Sequence, residues 1–141
     1  MSEIVVGYDG SDRGRVALDR GLELAHELGD RVVIVFGYAP PGTWGGEIAD
    51  HEQAIEELGE KAMDEARERA EAADVPCDVA LVAKRGAEAL LEVADERDAR
   101  LIVVGSHGDT PIKEVLIGAT PQKLLHTSRR PVLVVPTHGE R

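Results

Sequence analysis

Short runs of β-branched and other apolar residues alternate with helix-patterned segments along the chain. Two of these runs, at residues 31–36 and 101–104, are apolar at almost every position, as expected for strands buried on both faces. Strands of that kind form parallel sheets that carry helices on both faces and are joined by right-handed crossovers. The sequence therefore predicts an α/β fold with an open five-stranded parallel sheet, in a single domain spanning residues 1–141.

Turn residues and helical spacing set the limits of the individual elements. Strands are predicted at residues 3–8, 31–36, 78–82, 101–104 and 131–136, and helices at residues 11–28, at 49–73, after 86 and through 125. Ser11 is expected to cap the first helix and Gly29 to end it. The second helix is expected to bury one apolar stripe, made of Ile55, Leu58, Ala62, Ala66 and Ala70.

Charge and cysteine content restrict the partners and the compartment. The chain carries 27 acidic and 16 basic residues, a net charge of −11, whereas nucleic acids and anionic membranes bind clustered lysine and arginine. We therefore expect neither nucleic acid nor a membrane as partner. The single cysteine, Cys77, excludes an intramolecular disulfide, and the sequence has neither an apolar stretch of membrane-spanning length nor a basic secretion signal at residues 1–3. A cytoplasmic protein is expected.

Three glycines follow the fourth predicted strand in a Gly-x2-Gly-x9-Gly pattern: Gly105, Gly108 and Gly118. Glycine allows the backbone to approach a ligand closely. The helix that begins after the third glycine presents free N–H groups and the positive end of its dipole to an anion. The segment therefore predicts a phosphate-binding site, with Ser106 and His107 as further candidates between the first two glycines.

A second cluster, Asp9-Gly10-Ser11, follows the first predicted strand. If the first and fourth strands are neighbours, this cluster meets the glycine segment in one crevice at the carboxyl ends of the strands. Asp9 can bind Mg²⁺ through water or accept a hydrogen bond from a ligand in this crevice, or it can be a turn residue that bonds its own backbone. Val35-Phe36-Gly37 can line a ligand slot or belong to the core, and His107 can contact the ligand or face solvent.

Other nucleotide-binding signatures are missing from the sequence. It contains no Gly-x4-Gly-Lys-Ser/Thr and no Gly-x-Gly-x-x-Gly after a strand. A receiver-type phospho-acceptor would need an aspartate after the third strand and a lysine after the fifth, where this chain has Ala83 and Pro136. An adenylating enzyme would need a Ser-Gly-Gly-x-Asp-Ser-like loop, which Tyr8-Asp9-Gly10-Ser11-Asp12 matches poorly, and a substrate domain. No catalytic residue is assigned.

The chain resembles the universal stress protein family over residues 4–136. The resemblance is carried by the opening Ile4-Val5-Val6-Gly7-Tyr8-Asp9-Gly10-Ser11, by the three glycines described above, and by the closing Arg130-Pro131-Val132-Leu133-Val134-Val135-Pro136. It implies a Rossmann-like sheet of the adenine-nucleotide α-hydrolase type, in strand order 3-2-1-4-5. It also implies ATP bound by the loop after the fourth strand, and homodimers paired through the last strand at residues 131–136.

One position departs from the family signature. The family has Ser or Thr after the third glycine, with the hydroxyl beside the phosphates, whereas Ala119 offers only its backbone N–H. Thr120, followed by Pro121, is expected to be the N-cap of the helix, and its hydroxyl is the candidate replacement. Losing one hydrogen bond to a charged phosphate costs about 1.5–3 kcal/mol, or about ten- to a hundredfold in affinity. Asp109 adds a negative charge that a metal ion or Lys113 would have to offset.

Two functions fit these features. The first is a cytoplasmic stress-response sensor or regulator that binds ATP or another adenine nucleotide, with binding ordering residues 38–48 and altering the dimer surface. The second is a nucleotide-free interaction module of the same fold, which Ala119 and Asp109 favour. The residues expected to bind the nucleotide are Asp9, Gly10, Ser11, Phe36, Gly105, Ser106, His107, Gly108, Gly118, Ala119 and Thr120, with Asp9 also holding Mg²⁺ through water.

Overall fold

Strands and helices alternate through the computed structural model, which describes residues 1–38, 48–106 and 119–137, with residues 48–53 and 119 in their backbone only. The alternation agrees with the periodicity of the sequence. The elements are β1 (Glu3–Gly7), α1 (Asp12–Leu28), β2 (Arg31–Gly37), α2 (Ile48–Ala72), β3 (Cys77–Val82), α3 (Gly86–Arg97), β4 (Leu101–Gly105), α4 (Ala119–Thr127) and β5 (Val132–Val135).

The five strands form one parallel sheet in the order β3-β2-β1-β4-β5. β1 lies at the centre, where Val5 is opposite Val33 of β2 on one side and Ile102 of β4 on the other. β2 and β3 lie in turn on one side of β1, and β4 and β5 lie in turn on the other. The order reverses between β1 and β4, so the carboxyl ends of these two strands border the crevice where open α/β sheets bind ligands. The strand order implied by the family resemblance is confirmed.

Successive strand residues point to opposite faces of the sheet and build two apolar layers. α1 and α2 cover one face, and the most buried residues there include Ile4, Val6, Leu18, Leu22, Ile34, Met63, Ala66 and Val103. α3 and α4 cover the other, with Val5, Val33, Val35, Leu90, Val93, Ile102, Val104 and Leu124 among the buried residues. This double cover explains why the central strands are apolar at nearly every position.

α1 begins and ends where local sequence signals predict. The Ser11 hydroxyl accepts a hydrogen bond from the Gly14 N–H at 3.0 Å, which caps the first turn. Gly29 adopts a left-handed backbone with φ of 71°, and the backbone N–H groups at this end return to the carbonyls of Ala25 and His26. Both predictions for this helix are confirmed.

Two local predictions are wrong. Leu58 was expected in the buried stripe of α2 but is 63% exposed, because Gly59 faces the sheet at this level and contacts Leu81 and Phe36. Thr120 was expected as the N-cap of α4, but Ala119 and Thr120 both lie within the described helix. Its hydroxyl is therefore not in the capping position that the sequence suggested.

Ion pairs join the elements at the amino edge of the sheet, opposite the crevice. Asp30 is buried and accepts hydrogen bonds from Arg100 at 2.6 and 3.3 Å. Arg97 bridges Glu3 of β1 and Asp78 of β3. Side-chain contacts between elements thus hold the amino ends of the strands together. Among the described helices, none has both the length and the apolar character needed to cross a bilayer.

Candidate functional site

The loop after β1 is held in a tight turn by its own side chains. The Asp9 carboxylate accepts hydrogen bonds at Oδ1 from the Ser11 N–H at 3.0 Å and from the Ser11 hydroxyl at 2.5 Å. Gly10 has φ of +84°, and a Cβ there would lie 3.2 Å from the Cβ of Ala62 in α2. A Cβ on Gly14 would lie 2.6 Å from Asp9 Oδ1, so glycine is needed for the carboxylate to sit there. The turn fixes an exposed carboxylate at the rim of the crevice.

Tyr8, the residue directly before this loop, holds it against the helices of that face and was not predicted from the sequence. It is 4% exposed, and its hydroxyl donates to Glu65 Oε1 of α2 at 3.4 Å. Arg15 of α1 lies 3.7 Å from the same carboxylate oxygen. Burial raises the pKa of the Tyr8 phenol, with the Arg15 charge acting in the opposite direction. Tyr8 therefore joins the end of β1 to both helices on that face; an aromatic residue directly before the acidic turn was the available signal.

The end of β2 carries Phe36, one of the residues predicted to bind the nucleotide. Phe36 is half-buried, packs against the apolar layer under α1 and α2, and has its ring centroid 6.5 Å from that of Tyr38. Gly37 faces the opposite side, where a Cβ would lie 2.8 Å from the carbonyl oxygen of Lys84 and 2.9 Å from the Cβ of Ala89. The Phe36 ring is thus part of the core, while the backbone of 36–37 reaches the carboxyl edge.

The end of β4 is tied to the segment that follows β5. Gly105 pairs with Val135 in the strand register, and the Ser106 N–H donates to the Val135 carbonyl at 2.8 Å. The Ser106 side chain is buried, accepts from the Thr137 N–H at 3.0 Å and lies 3.3 Å from the Thr137 hydroxyl. The hydroxyl of Ser106 therefore joins β4 to the end of β5 inside the protein.

The first turns of α3 and α4 lie side by side. A Cβ on Gly86, the first residue of α3, would be 3.1 Å from the Thr120 hydroxyl oxygen. Ala119 is the first described residue of α4, and its backbone N–H points toward the positive end of that helix. His107, Gly108 and Gly118, together with Asp109 and Lys113, lie outside the described residues.

The fold brings the described candidates to one edge. Asp9–Ser11 follow β1, Phe36 lies one residue before the end of β2, Gly105 ends β4 with Ser106 directly after it, and Thr120 is the second residue of α4 as described. Because β1 and β4 are paired, the first and third of these groups are neighbours, as the sequence analysis required. Within the part of the chain that the structure describes, no three metal-ligating side chains form a cluster.

A groove of about 750 Å³ lies elsewhere, between the C-terminal halves of α1 and α2. Its lining residues are Asp19, Leu22, Glu23, His26, Glu27, Glu68, Arg69, Ala72 and Ala73. None of the predicted nucleotide-binding residues is among them. We place the candidate site at the carboxyl edge instead, because the strand order reverses there between β1 and β4 and open α/β sheets bind ligands at that point.

Comparison with known proteins agrees with this architecture. The model of the universal stress protein family matches residues 1–136. The chain belongs to this family. A universal stress protein of Thermus aquaticus is 32% identical over 133 residues, which cover 94% of this chain and 96% of that protein.

Solved structures of the family have the same fold. A universal stress family protein from Burkholderia pseudomallei is 32% identical, with a TM-score of 0.77 and coverage of 96% of each chain. A universal stress protein solved in complex with cAMP is 29% identical, with a TM-score of 0.78, and the match covers 96% of this chain and 97% of that one. The family and the fold predicted from the sequence are both confirmed.

Proposed function

We propose that this universal stress protein is a cytoplasmic regulator that binds an adenine nucleotide, with ATP as the expected ligand, in the crevice between the ends of β1 and β4. The observation that carries the proposal is the pairing of β1 with β4, which sets the Asp9 turn beside Gly105 and Ser106 at the switch point of the sheet. A relative of 29% identity has been solved in complex with cAMP, which supports an adenine nucleotide as the ligand class.

In the proposed binding mode, two parts of the carboxyl edge contact different parts of the nucleotide. The backbone at residues 36–37 and the Asp9 turn would receive the base and ribose. The phosphates would be held by backbone N–H groups of the glycine segment, which includes Gly105, Gly108 and Gly118, and by the first turn of α4. In this scheme, Ser11 and Ser106 shape the site, because their hydroxyls already bond Asp9, Gly14 and Thr137.

Mg²⁺ fits the proposed site as a companion of the phosphates. The ion keeps several waters and is usually held by one or two carboxylates together with substrate oxygens. Asp9 supplies one exposed carboxylate, with its Oδ1 fixed by Ser11. When bound, the ion would neutralise phosphate charge near this carboxylate. We propose binding and signalling rather than turnover, with the nucleotide changing the surface offered to a second subunit or to another protein.

A nucleotide-free interaction module is the second candidate. Ala119 favours it, because an alanine after the third glycine has no hydroxyl for a phosphate. In that case the carboxyl edge would be a protein surface, and the homodimer would be the functional unit.

Calorimetric titration of the nucleotide-stripped protein with ATP and Mg²⁺ tests the proposal. Saturable binding of about one nucleotide per chain, with GTP binding far more weakly, is the expected result. Asp9→Asn should weaken Mg-ATP binding about tenfold. Asp74→Asn is the matched control, since Asp74 is exposed, lies after α2 at the opposite edge and has a positive φ that Asn tolerates. If titration with ATP and Mg²⁺ gives no heat of binding, and the nucleotide does not change the melting temperature of the protein, the result would instead favour the interaction module.

A further inference from the structure

Most of the lysines and arginines that the structure describes form ion pairs, as expected in a chain with a net charge of −11. Within residues 1–38, 48–106 and 119–137, four basic side chains have no carboxylate within ion-pair distance: Arg13, Lys61, Arg85 and Arg129. An arginine left unpaired among so many carboxylates retains its full capacity to bind an anion. The position of each in the fold then decides what it can reach.

Arg85 lies between the two halves of the proposed nucleotide site. Its neighbour Lys84 places a carbonyl oxygen 2.8 Å from where a Cβ on Gly37 would be, at the end of β2. Its other neighbour, Gly86, packs against Thr120 in the first turn of α4, where a Cβ added to the glycine would lie 3.1 Å from the threonine hydroxyl oxygen. Lys84 thus lies next to the end of β2 and Gly86 next to Thr120 of α4, the two places to which the proposal assigns the base and the phosphates, and the Arg85 side chain between them in sequence is exposed.

The other basic residues are less well placed. Lys84 is paired with Glu92 of α3. Arg13 lies in the first turn of α1, on the face of the sheet opposite α3 and α4. Lys61 is exposed on α2, and Arg129 follows the C-terminal end of α4, at the amino edge.

We propose that Arg85 binds the polyphosphate of the nucleotide and thereby makes the site prefer di- and triphosphates to monophosphates. This inference rests on the function proposed above. A guanidinium forms charge-assisted, often bidentate hydrogen bonds to phosphate. Such a contact offsets the hydroxyl that Ala119 lacks at the start of α4, on the neighbouring element. Arg85 is thus a specificity-determining residue supplied by the β3–α3 connection.

The test compares Arg85→Gln with Arg129→Gln. Both substitutions remove one positive charge from an exposed, unpaired arginine, and the two residues lie at opposite edges of the sheet. Calorimetry with ATP and with AMP, in the presence of Mg²⁺, measures the affinity of each variant. We expect Arg85→Gln to weaken ATP binding about ten- to a hundredfold and AMP binding less than about threefold. Arg129→Gln should leave both affinities unchanged. The ATP affinity of Arg85→Lys should lie between those of wild type and Arg85→Gln, because lysine keeps the positive charge but cannot form the bidentate hydrogen bonds of a guanidinium.

The possible outcomes separate this inference from the proposed function. If the wild type binds ATP and the two glutamine variants bind it equally well, Arg85 makes no phosphate contact and the inference is wrong while the proposed function stands. If both variants weaken ATP binding equally, the effect is one of net charge and the inference is also wrong. If the wild type binds neither nucleotide, both proposals are wrong. An unchanged melting temperature for Arg85→Gln shows that the loss of affinity does not come from unfolding.

Discussion

The polar side chains at the carboxyl edge hold the backbone in place as much as they face a ligand. The Ser11 hydroxyl donates to Asp9 and accepts from the Gly14 N–H, so one side chain caps α1 and orients the acidic turn. Ser106 has a similar structural role, since its side chain is buried and accepts a hydrogen bond from the Thr137 N–H. The N–H groups of the two serines are also used, by the Asp9 carboxylate and the Val135 carbonyl, so a ligand here would be contacted by Asp9 rather than by Ser11 or Ser106. At this scale, Ala119 is the residue whose chemistry most affects the proposed phosphate contacts.

Ala119→Ser should raise the affinity for ATP about tenfold or more, because it restores a hydroxyl at the first residue of α4. Ala119→Cys is the control, since the cysteine side chain has nearly the same shape as that of serine but is only a weak hydrogen-bond donor. Calorimetric titration of both variants with Mg-ATP measures the difference. Equal affinities for the serine, cysteine and wild-type proteins would contradict the phosphate site described above.

Cys77 should react slowly with thiol reagents in the native protein. It is partly buried at the start of β3, and desolvation by burial raises the pKa of its thiol, so less of the reactive thiolate is present at neutral pH. The rate of reaction with a disulfide reagent should be several-fold below that of glutathione at neutral pH, and should rise as the pH is increased. The urea-unfolded chain should react at the rate of a free thiol; a fast reaction in the native state would contradict this assignment.

Helix α1 lies on the sheet at a distance set by a glycine. A Cβ on Gly21 would be 2.9 Å from Val6 Cγ2 and 3.7 Å from Val103 Cγ1, both inside the buried layer. Gly21→Ala gains about 1 kcal/mol of helix propensity but overpacks a constrained core, which costs about 1–3 kcal/mol. The expected net loss of unfolding free energy is about 1 kcal/mol. Urea denaturation measures it, with the exposed position Glu27→Ala expected to stay within about 0.5 kcal/mol of wild type; a more stable Gly21→Ala would show that α1 shifts freely.

Elements were predictable where the signal is local. The Ser11 cap, the Gly29 stop and the alternating apolar runs are properties of a few adjacent residues, and α1 and the strands appear close to the predicted limits. The predicted burial of Leu58 is wrong because the orientation of α2 depends on Phe36 and Leu81. These two residues are distant in sequence, and they leave room only for Gly59 to face the sheet. Tyr8 was missed for the same reason, since its partner Glu65 is on another element.

At the scale of the whole molecule, the strand order came from the family resemblance, because hydrophobic periodicity carries no information on which strands pair. Once β1 is known to lie beside β4, the meeting of Asp9 with Gly105 and Ser106 follows. The contact between Gly86 and Thr120 could not be predicted, since it depends on how α3 and α4 pack on the same face.

The two edge strands differ in how they are protected, and this bears on assembly. β3 carries Asp78 in an ion pair with Arg97, and a charge on an edge strand discourages pairing with another chain. β5 reads Val-Leu-Val-Val, has no charged residue and leaves Leu133 41% exposed. Covering it with the same strand of a second subunit gives a closed two-fold assembly. We therefore expect a homodimer joined through β5.

Light scattering of the wild type at micromolar concentration should give the mass of a dimer. Leu133→Lys should give a monomer, because it places a charge on the unpaired edge of β5. Leu58→Lys is the matched control: it makes the same change at a side chain that is 63% exposed on α2, and it should leave the dimer intact. A monomeric wild type, or a Leu133→Lys variant that stays dimeric, would contradict pairing through β5. Dissociation by Leu81→Lys alone would place the interface on β3, at the other edge of the sheet.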